Sequence, residues 1–135
     1  MVFLLMGPLM VEGTYFAITG EWSAVAFYLS LPIGLLVAAI LHGNEWRDIN
    51  EDRRAGISTL SGIIGKKWSY RGYVVLIVGA FVTLGLLAAA GLAPPAVMLA
   101  ILALPFLASV IRDAELGANG QMRAIAKIDL ETARL

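Results

Sequence analysis

The sequence predicts an all-α fold, a polytopic membrane helical bundle of about four transmembrane helices, and two observations carry this prediction. Hydrophobic residues make up 59% of the 135 residues and charged residues 15%, against roughly 45–50% and about 25% in soluble domains. The charges are also segregated, because residues 1–41 contain no lysine or arginine and residues 72–111 contain no charge at all. This distribution is typical of a chain embedded in a lipid bilayer.

Four stretches are apolar enough to cross a bilayer, whose hydrocarbon core of about 30 Å requires roughly 20 residues of helix. Within a single membrane domain, residues 1–135, the predicted spans are 2–19, 22–41, 73–90 and 95–111. Proline interrupts three of them, at Pro8, Pro32 and Pro105, and membrane helices tolerate proline where neighbouring helices satisfy the freed carbonyl groups. The small-residue spacing from Ser30 to Gly34 predicts close helix packing.

The basic residues determine the predicted orientation. They occupy one connection and the C-terminal tail: Arg47, Arg53, Arg54, Lys66, Lys67 and Arg71, then Arg112, Arg123, Lys127 and Arg134. The short connections between the other spans contain no basic residue. By the positive-inside rule, we expect a multi-pass protein of the cell membrane with residues 42–71 and 112–135 in the cytoplasm.

Composition also excludes several kinds of function. The formal net charge is zero, so no bulk positive field exists to attract nucleic acid, and we expect no nucleic-acid partner. The sequence has no cysteine and a single histidine, His42, which removes disulfides, thiolate nucleophiles and the usual zinc sites. We expect His42 to be an interfacial loop residue rather than a base. Polar chemistry must therefore come from carboxylates, arginines, lysines and amides.

The connection 42–71 contains the most informative segment, residues 44–56. If this segment is helical, Asn44, Asp48 and Asp52 lie four residues apart and share one face. Mg²⁺ prefers oxygen ligands and is often held by one or two carboxylates together with substrate phosphates. Arg47, Arg53 and Arg54 supply donors that suit phosphate oxygens. A segment that contains acids suited to a metal ion and arginines suited to phosphates is typical of a diphosphate-binding site.

The spacing alone leaves a plainer interpretation open. Charged cytoplasmic connections are common, and Arg47 with Glu51 has the spacing of an ordinary ion pair on a solvated helix. Lys66 and Lys67 are what the positive-inside rule expects at a helix entrance, although they could also reach a phosphate. Glu12 lies inside a predicted span, where an acid either lines a substrate chamber, here with Tyr15, or is a snorkelling or interhelical hydrogen-bonding group.

Residues 44–56, followed by Thr59-Leu60 and residues 62–65, closely resemble the second aspartate-rich motif of the UbiA superfamily of intramembrane prenyltransferases. Within that superfamily, the Asn-x-x-Arg-Asp-x-x-x-Asp-Arg core followed by Ala-Gly looks most like the 1,4-dihydroxy-2-naphthoate polyprenyltransferases of menaquinone biosynthesis. Residues 7–10 and 13–15 resemble the segment that precedes the motif in this branch. Glu45 and residues 57–58 depart from the residues usual there.

This resemblance implies a function and a set of roles. The function is Mg²⁺-dependent prenyl transfer from a polyprenyl diphosphate to an aromatic acceptor in quinone biosynthesis, with 1,4-dihydroxy-2-naphthoate favoured as the acceptor. By resemblance, Asp48 and Asp52 are the catalytic residues and the Mg²⁺ ligands. Asn44 supports the site, and Arg47 and Arg53 contact or orient the diphosphate.

The family's first aspartate-rich motif does not occur in this sequence. We therefore expect the chain to be the C-terminal half of a larger bundle, lacking its N-terminal half and its last helix and inactive alone. Other interpretations remain open: another UbiA branch with a different aromatic acceptor, or a non-enzymatic membrane subunit or transporter component, which the broken spans would suit. A CDP-alcohol phosphotransferase is disfavoured, because its Asp-Gly and Ala-Arg signature is absent.

Overall fold

A computed structural model describes residues 1–119, 128 and 132–135, and every regular element in this part of the chain is helical. The predicted all-α class is therefore confirmed. The long elements are α1 (Val2–Thr19), α2 (Ala24–Arg47) and α5 (Lys66–Ala89). The shorter ones are α3 (Ile49–Arg54), α4 (Leu60–Ile64), a 3₁₀ helix (Pro95–Ala103) and α6 (Leu104–Ala118).

Three helices in the described part of the chain, α1, α2 and α5, are long and apolar enough to cross a membrane. They contain most of the first three predicted spans, and α2 and α5 also extend into the connection 42–71. The fourth predicted span is divided between the 3₁₀ helix and α6, so its crossing stays a prediction, as does the orientation. In the tail predicted to be cytoplasmic, Arg123 and Lys127 lie outside the described residues.

The chain forms two compact units. The first comprises Met1–Ala38 and Leu76–Ile101, and the second comprises Ala39–Val75 and Leu102–Leu135. In the first unit, α1 and α2 pack closely at Gly7 and Gly34. A Cβ atom added to Gly7 would lie 2.9 Å from the Gly34 Cα atom, and Ser30 beside them is fully buried. The close packing predicted from the Ser30 to Gly34 spacing is confirmed.

Helix α1 accommodates its internal proline through a change of helical type. Residues Leu5–Leu9 form a π-helical turn that contains Pro8, between α-helical segments Val2–Leu4 and Met10–Thr19. Proline has no N–H to donate and clashes with the carbonyl one turn earlier, so a widened turn relieves the clash without ending the helix. The span therefore continues through the Gly-Pro pair.

The second unit is built around a cluster of aromatic side chains. Trp46 of α2 and Tyr73 of α5 are fully buried, with ring centroids 5.9 Å apart, and the Tyr70 ring lies 6.1 Å from Trp46. The Tyr73 hydroxyl shares a hydrogen bond with the Thr132 hydroxyl. This cluster fixes the C-terminal end of α2, which carries the aspartate-rich segment.

Candidate functional site

The aspartate-rich segment begins in the last turn of α2 and continues through α3. Asp48 separates the two helices, with φ −93° and ψ 7°, but it does not interrupt the helical hydrogen bonding. The Asp48 N–H donates to the Asn44 carbonyl at 2.9 Å, and the Asp52 N–H donates to the Asp48 carbonyl at 2.9 Å. Asn44, Asp48 and Asp52 therefore follow one another at intervals of one turn, as the helical interpretation of the sequence requires.

A glycine ends α3 immediately after the motif. Gly56 has a positive φ of 72°, which glycine adopts without steric cost. Its N–H donates to the Arg53 carbonyl at 3.3 Å, and the Ile57 N–H donates to the Asp52 carbonyl at 2.8 Å. This pair of hydrogen bonds is a Schellman motif. The Ala55-Gly56 pair of the motif thus has a structural role in closing the helix that carries Asp52.

The side chains of Arg47 and Asp48 form a two-point ion pair. Arg47 Nε donates to Asp48 Oδ1 at 2.8 Å, and Arg47 Nη2 donates to Asp48 Oδ2 at 3.1 Å. The two side chains are 29% and 33% exposed, so the pair lies in contact with solvent. Both carboxylate oxygens of Asp48 therefore accept a hydrogen bond from Arg47. Arg47 is also one of the two arginines predicted to contact or orient the diphosphate.

The donor set fits a hard divalent cation. Asp48 and Asp52 supply carboxylates, and Oδ1 of Asn44 is buried with no hydrogen-bond partner among the described residues. An amide oxygen and carboxylates are ligands that Mg²⁺ prefers, and this ion commonly keeps waters or phosphates in its other positions. No three acidic or histidine side chains converge within the described ranges. The segment therefore offers an incomplete oxygen shell that a phosphate-bearing substrate could complete.

Arg53 lies against a different part of the connection. It lines a cavity of about 210 Å³ together with Ile49 and residues of the loop and of α4. The structure thus brings Arg47 to Asp48 but places Arg53 beside the loop that follows α3. The roles of Asn44, Arg47, Asp48, Asp52 and Arg53 in binding and catalysis stay predictions.

Two residues position the segment in ways that the sequence did not reveal. Trp46 lies fully buried between Tyr70 and Tyr73, so it holds the turn of α2 from which Asn44, Arg47 and Asp48 project. Glu45, one of the departures from the expected motif, accepts a hydrogen bond at 3.5 Å from the Ser61 N–H at the start of α4. It therefore ties α4 to the end of α2.

His42 lies in a helix rather than in a loop, and its ring contacts a second helix. It lies within α2, and its Nε2 donates to the Ser69 carbonyl of α5 at 3.1 Å. A Cβ atom on Gly72 would lie 3.1 Å from the same nitrogen. The expectation of an interfacial loop residue was wrong in that respect, because α2 continues to Arg47 and the ring packs between helices.

The structure also decides how Glu12 is placed. Its side chain is 5% exposed, and its Oε2 accepts a hydrogen bond at 3.4 Å from the Ser23 N–H at the entrance to α2. Glu12 lines a cavity of about 400 Å³ with Trp22, Phe27 and Tyr28, but Tyr15 does not line it. Glu12 therefore makes a hydrogen bond to the residue that precedes α2 and also lines a cavity, without the predicted tyrosine. Its place in a substrate chamber stays a prediction.

Known proteins that are similar to this chain are named for the UbiA prenyltransferase domain, which is the family that the motif resembles. UbiA prenyltransferase domain-containing protein 1 of Dictyostelium discoideum is 35% identical over 83 residues, which are 62% of this chain and 25% of that protein. The human protein of the same name is 34% identical over 87 residues, 64% of this chain and 26% of that protein. The Drosophila melanogaster homolog is 37% identical over 78 residues, 56% of this chain and 21% of that protein.

The chain spans about a quarter of the length of these curated relatives, and their names do not specify a naphthoate acceptor. No solved structure matches the chain. The model of the UbiA prenyltransferase family matches residues 1–123, which is most of the sequence and includes the aspartate-rich segment. The chain belongs to the UbiA prenyltransferase family.

Proposed function

We propose that the full-length protein in which this chain occurs transfers a prenyl group from a polyprenyl diphosphate to an aromatic acceptor, in a Mg²⁺-dependent reaction. The observation that supports this most is the placement of Asn44, Asp48 and Asp52 at one-turn intervals along a nearly continuous helix. Membership of the UbiA prenyltransferase family supports prenyl transfer as the reaction in which these oxygen donors take part.

The proposed roles follow from the donors of each side chain. Asp48 and Asp52 hold Mg²⁺, and the buried Oδ1 of Asn44 supports the same site. When bound there, Mg²⁺ neutralises the charge that develops on the departing diphosphate. Arg47 and Arg53 contact diphosphate oxygens, which suit the planar donor pattern of a guanidinium group. Both acids and arginines thus act on the same leaving group.

The proposed reaction balances without a further reactant. The bond between the allylic carbon and the diphosphate oxygen breaks, and its electron pair leaves with the diphosphate. The allylic cation that remains bonds to a ring carbon of the acceptor. The ring then regains its aromaticity by losing a proton or, where that carbon bears a carboxylate, by releasing CO₂ and keeping the bonding electron pair.

For the acceptor we propose 1,4-dihydroxy-2-naphthoate, which places the protein in menaquinone biosynthesis. The proposal rests on the likeness of residues 44–56 to that branch, and Glu45 is the principal departure. A different aromatic acceptor would leave the same diphosphate site in use. The acceptor and the diphosphate chemistry are therefore separate parts of the proposal, and assays with two different acceptors distinguish them.

The test measures prenyl transfer by the purified full-length protein with a labelled polyprenyl diphosphate and either dihydroxynaphthoate or a hydroxybenzoate. We expect Asp48→Asn and Asp52→Asn to lose at least about 100-fold in rate, since a lost transition-state charge contact costs several kcal/mol. Glu51→Gln, which changes an exposed acid in the same helix, should retain activity. Near-normal turnover by both aspartate variants would refute the diphosphate site. Transfer to the hydroxybenzoate alone would refute only the acceptor.

A further inference from the structure

Glu12 is a buried acid in a membrane-spanning helix, and the proposed prenyl transfer does not use it. Its side chain is 5% exposed. One carboxylate oxygen has a long hydrogen bond of 3.4 Å to the Ser23 N–H, and the other, Oε1, is buried with no partner among the described residues. A buried carboxylate that lacks compensating contacts is costly, and intramembrane acids usually mark a functional site.

Glu12 is one of the residues that line a cavity of about 400 Å³, a volume within the range of small-molecule sites. Its walls combine the apolar residues Pro8 and Leu9 with the aromatic rings of Trp22, Phe27 and Tyr28. The Trp22 ring is stacked on Phe16, with centroids 5.0 Å apart. That stacking holds one aromatic wall of the cavity in place although the Trp22 side chain is 72% exposed.

The surrounding unit of the fold supplies no side-chain cation for Glu12. It comprises Met1–Ala38 and Leu76–Ile101, and neither segment contains a lysine, arginine or histidine. The complementary charge must therefore come from outside this unit. A cavity that an acid and aromatic rings line together is suited to an organic ammonium group, because ring faces attract a cation and the acid pairs with it.

The position of the cavity indicates where that ammonium group comes from. Glu12 is bonded to Ser23, in the connection between α1 and α2, and Trp22 in the same connection is the kind of residue that marks a membrane interface. Head groups of phospholipids lie at this depth, and Pro8 and Leu9 on the cavity wall extend apolar surface along the span. An amphiphile can therefore place its ammonium group at Glu12 and its acyl chains against α1.

We propose that this cavity binds the ammonium head group of an aminophospholipid, with Glu12 as the ion-pair partner and Trp22 as an aromatic wall. The proposal is independent of prenyl transfer, because it involves neither aspartate of the motif. It requires discrimination by head group: a lipid with an ammonium group should bind, and one of the same acyl chains without it should not.

The experiment titrates phosphatidylethanolamine and phosphatidylglycerol of identical acyl chains into the purified full-length protein and measures bound lipid by native mass spectrometry. We expect Glu12→Gln to weaken phosphatidylethanolamine binding about tenfold or more, as for the loss of a charge-assisted contact. Phosphatidylglycerol binding should not change. Glu21→Gln is the matched control, because Glu21 lies in the same connection and is exposed.

A second variant keeps the test decisive if Glu12→Gln does not fold. Trp22→Leu leaves the carboxylate intact and should weaken phosphatidylethanolamine binding about two- to fivefold through the lost cation–π contact. Equal binding of the two lipids by the unmodified protein would overturn the proposal, and would indicate that another part of the full-length protein pairs with Glu12. Unchanged lipid selectivity in both variants would also overturn it.

Discussion

Arg47 holds both carboxylate oxygens of Asp48, through contacts of 2.8 Å from Nε and 3.1 Å from Nη2. The ion pair joins adjacent residues at the boundary between α2 and α3. A metal ion at Asp48 must therefore compete with a guanidinium group that is already in place. We expect the guanidinium group, once displaced from Asp48, to contact the diphosphate that accompanies the metal.

This competition predicts opposite effects of one substitution. Removing the guanidinium group in Arg47→Ala should tighten Mn²⁺ binding in the absence of diphosphate, by about two- to fivefold for a partly exposed pair. It should also raise the KM for the polyprenyl diphosphate. Electron paramagnetic resonance of Mn²⁺ and steady-state kinetics on the full-length protein measure the two quantities.

Arg54→Ala is the control for Arg47→Ala, because Arg54 is an exposed arginine in the same segment. It should change Mn²⁺ affinity less than Arg47→Ala does. Weaker Mn²⁺ binding by Arg47→Ala would contradict the competition and would indicate that the arginine orients Asp48 toward the metal.

Trp46 should be essential to the stability of the motif. Replacing a fully buried tryptophan by alanine typically costs about 3–5 kcal/mol, and Trp46→Ala also removes the contacts with Tyr70 and Tyr73. We expect faster hydrogen exchange at residues 44–52 and a lower melting temperature. The control is Trp68→Ala, because Trp68 is 60% exposed and stacks only on Arg71 among its described ring contacts. Equal destabilisation by the two substitutions would contradict this role.

The crossing of α1 and α2 should not tolerate even a methyl group. In Gly34→Ala the added Cβ atom would lie 2.9 Å from the Phe3 carbonyl oxygen, and forced overpacking typically costs about 1–3 kcal/mol. Thermal unfolding of the full-length protein should show this loss. Gly13→Ala, in the same helix pair, meets no atom within 4 Å and should be neutral or slightly stabilising. A neutral Gly34→Ala would show that the helices cross elsewhere.

The sequence was sufficient for features that depend on local pattern. Runs of apolar residues predicted the three long apolar helices α1, α2 and α5, and four-residue spacing predicted the helical placement of Asn44, Asp48 and Asp52. The fourth span was less predictable, because the hydropathy of residues 95–111 does not reveal that the segment changes from a 3₁₀ helix to an α-helix at Leu104.

Features that depend on contacts between distant residues could not be predicted. Nothing local indicates that Glu45 accepts from the Ser61 N–H, 16 residues away, or that Trp46 packs between Tyr70 and Tyr73. The Glu12 cavity likewise depends on how the connection between α1 and α2 packs beside Glu12. For the crossing of α1 and α2, the Ser30 to Gly34 spacing predicted close packing, but nothing in the sequence indicated that Gly7 of α1 is the residue that packs against Gly34.

The proposed site is tested most directly by protection of the connection 42–71 in the full-length protein. Hydrogen exchange or limited proteolysis is followed with Mg²⁺, with a non-hydrolysable polyprenyl diphosphate analogue, and with both together. We expect strong protection of residues 44–65 only when both are present, and loss of that protection in Asp48→Asn but not in Glu51→Gln. Identical exchange and cleavage under all of these conditions would contradict a Mg²⁺–diphosphate site and favour a non-enzymatic membrane subunit.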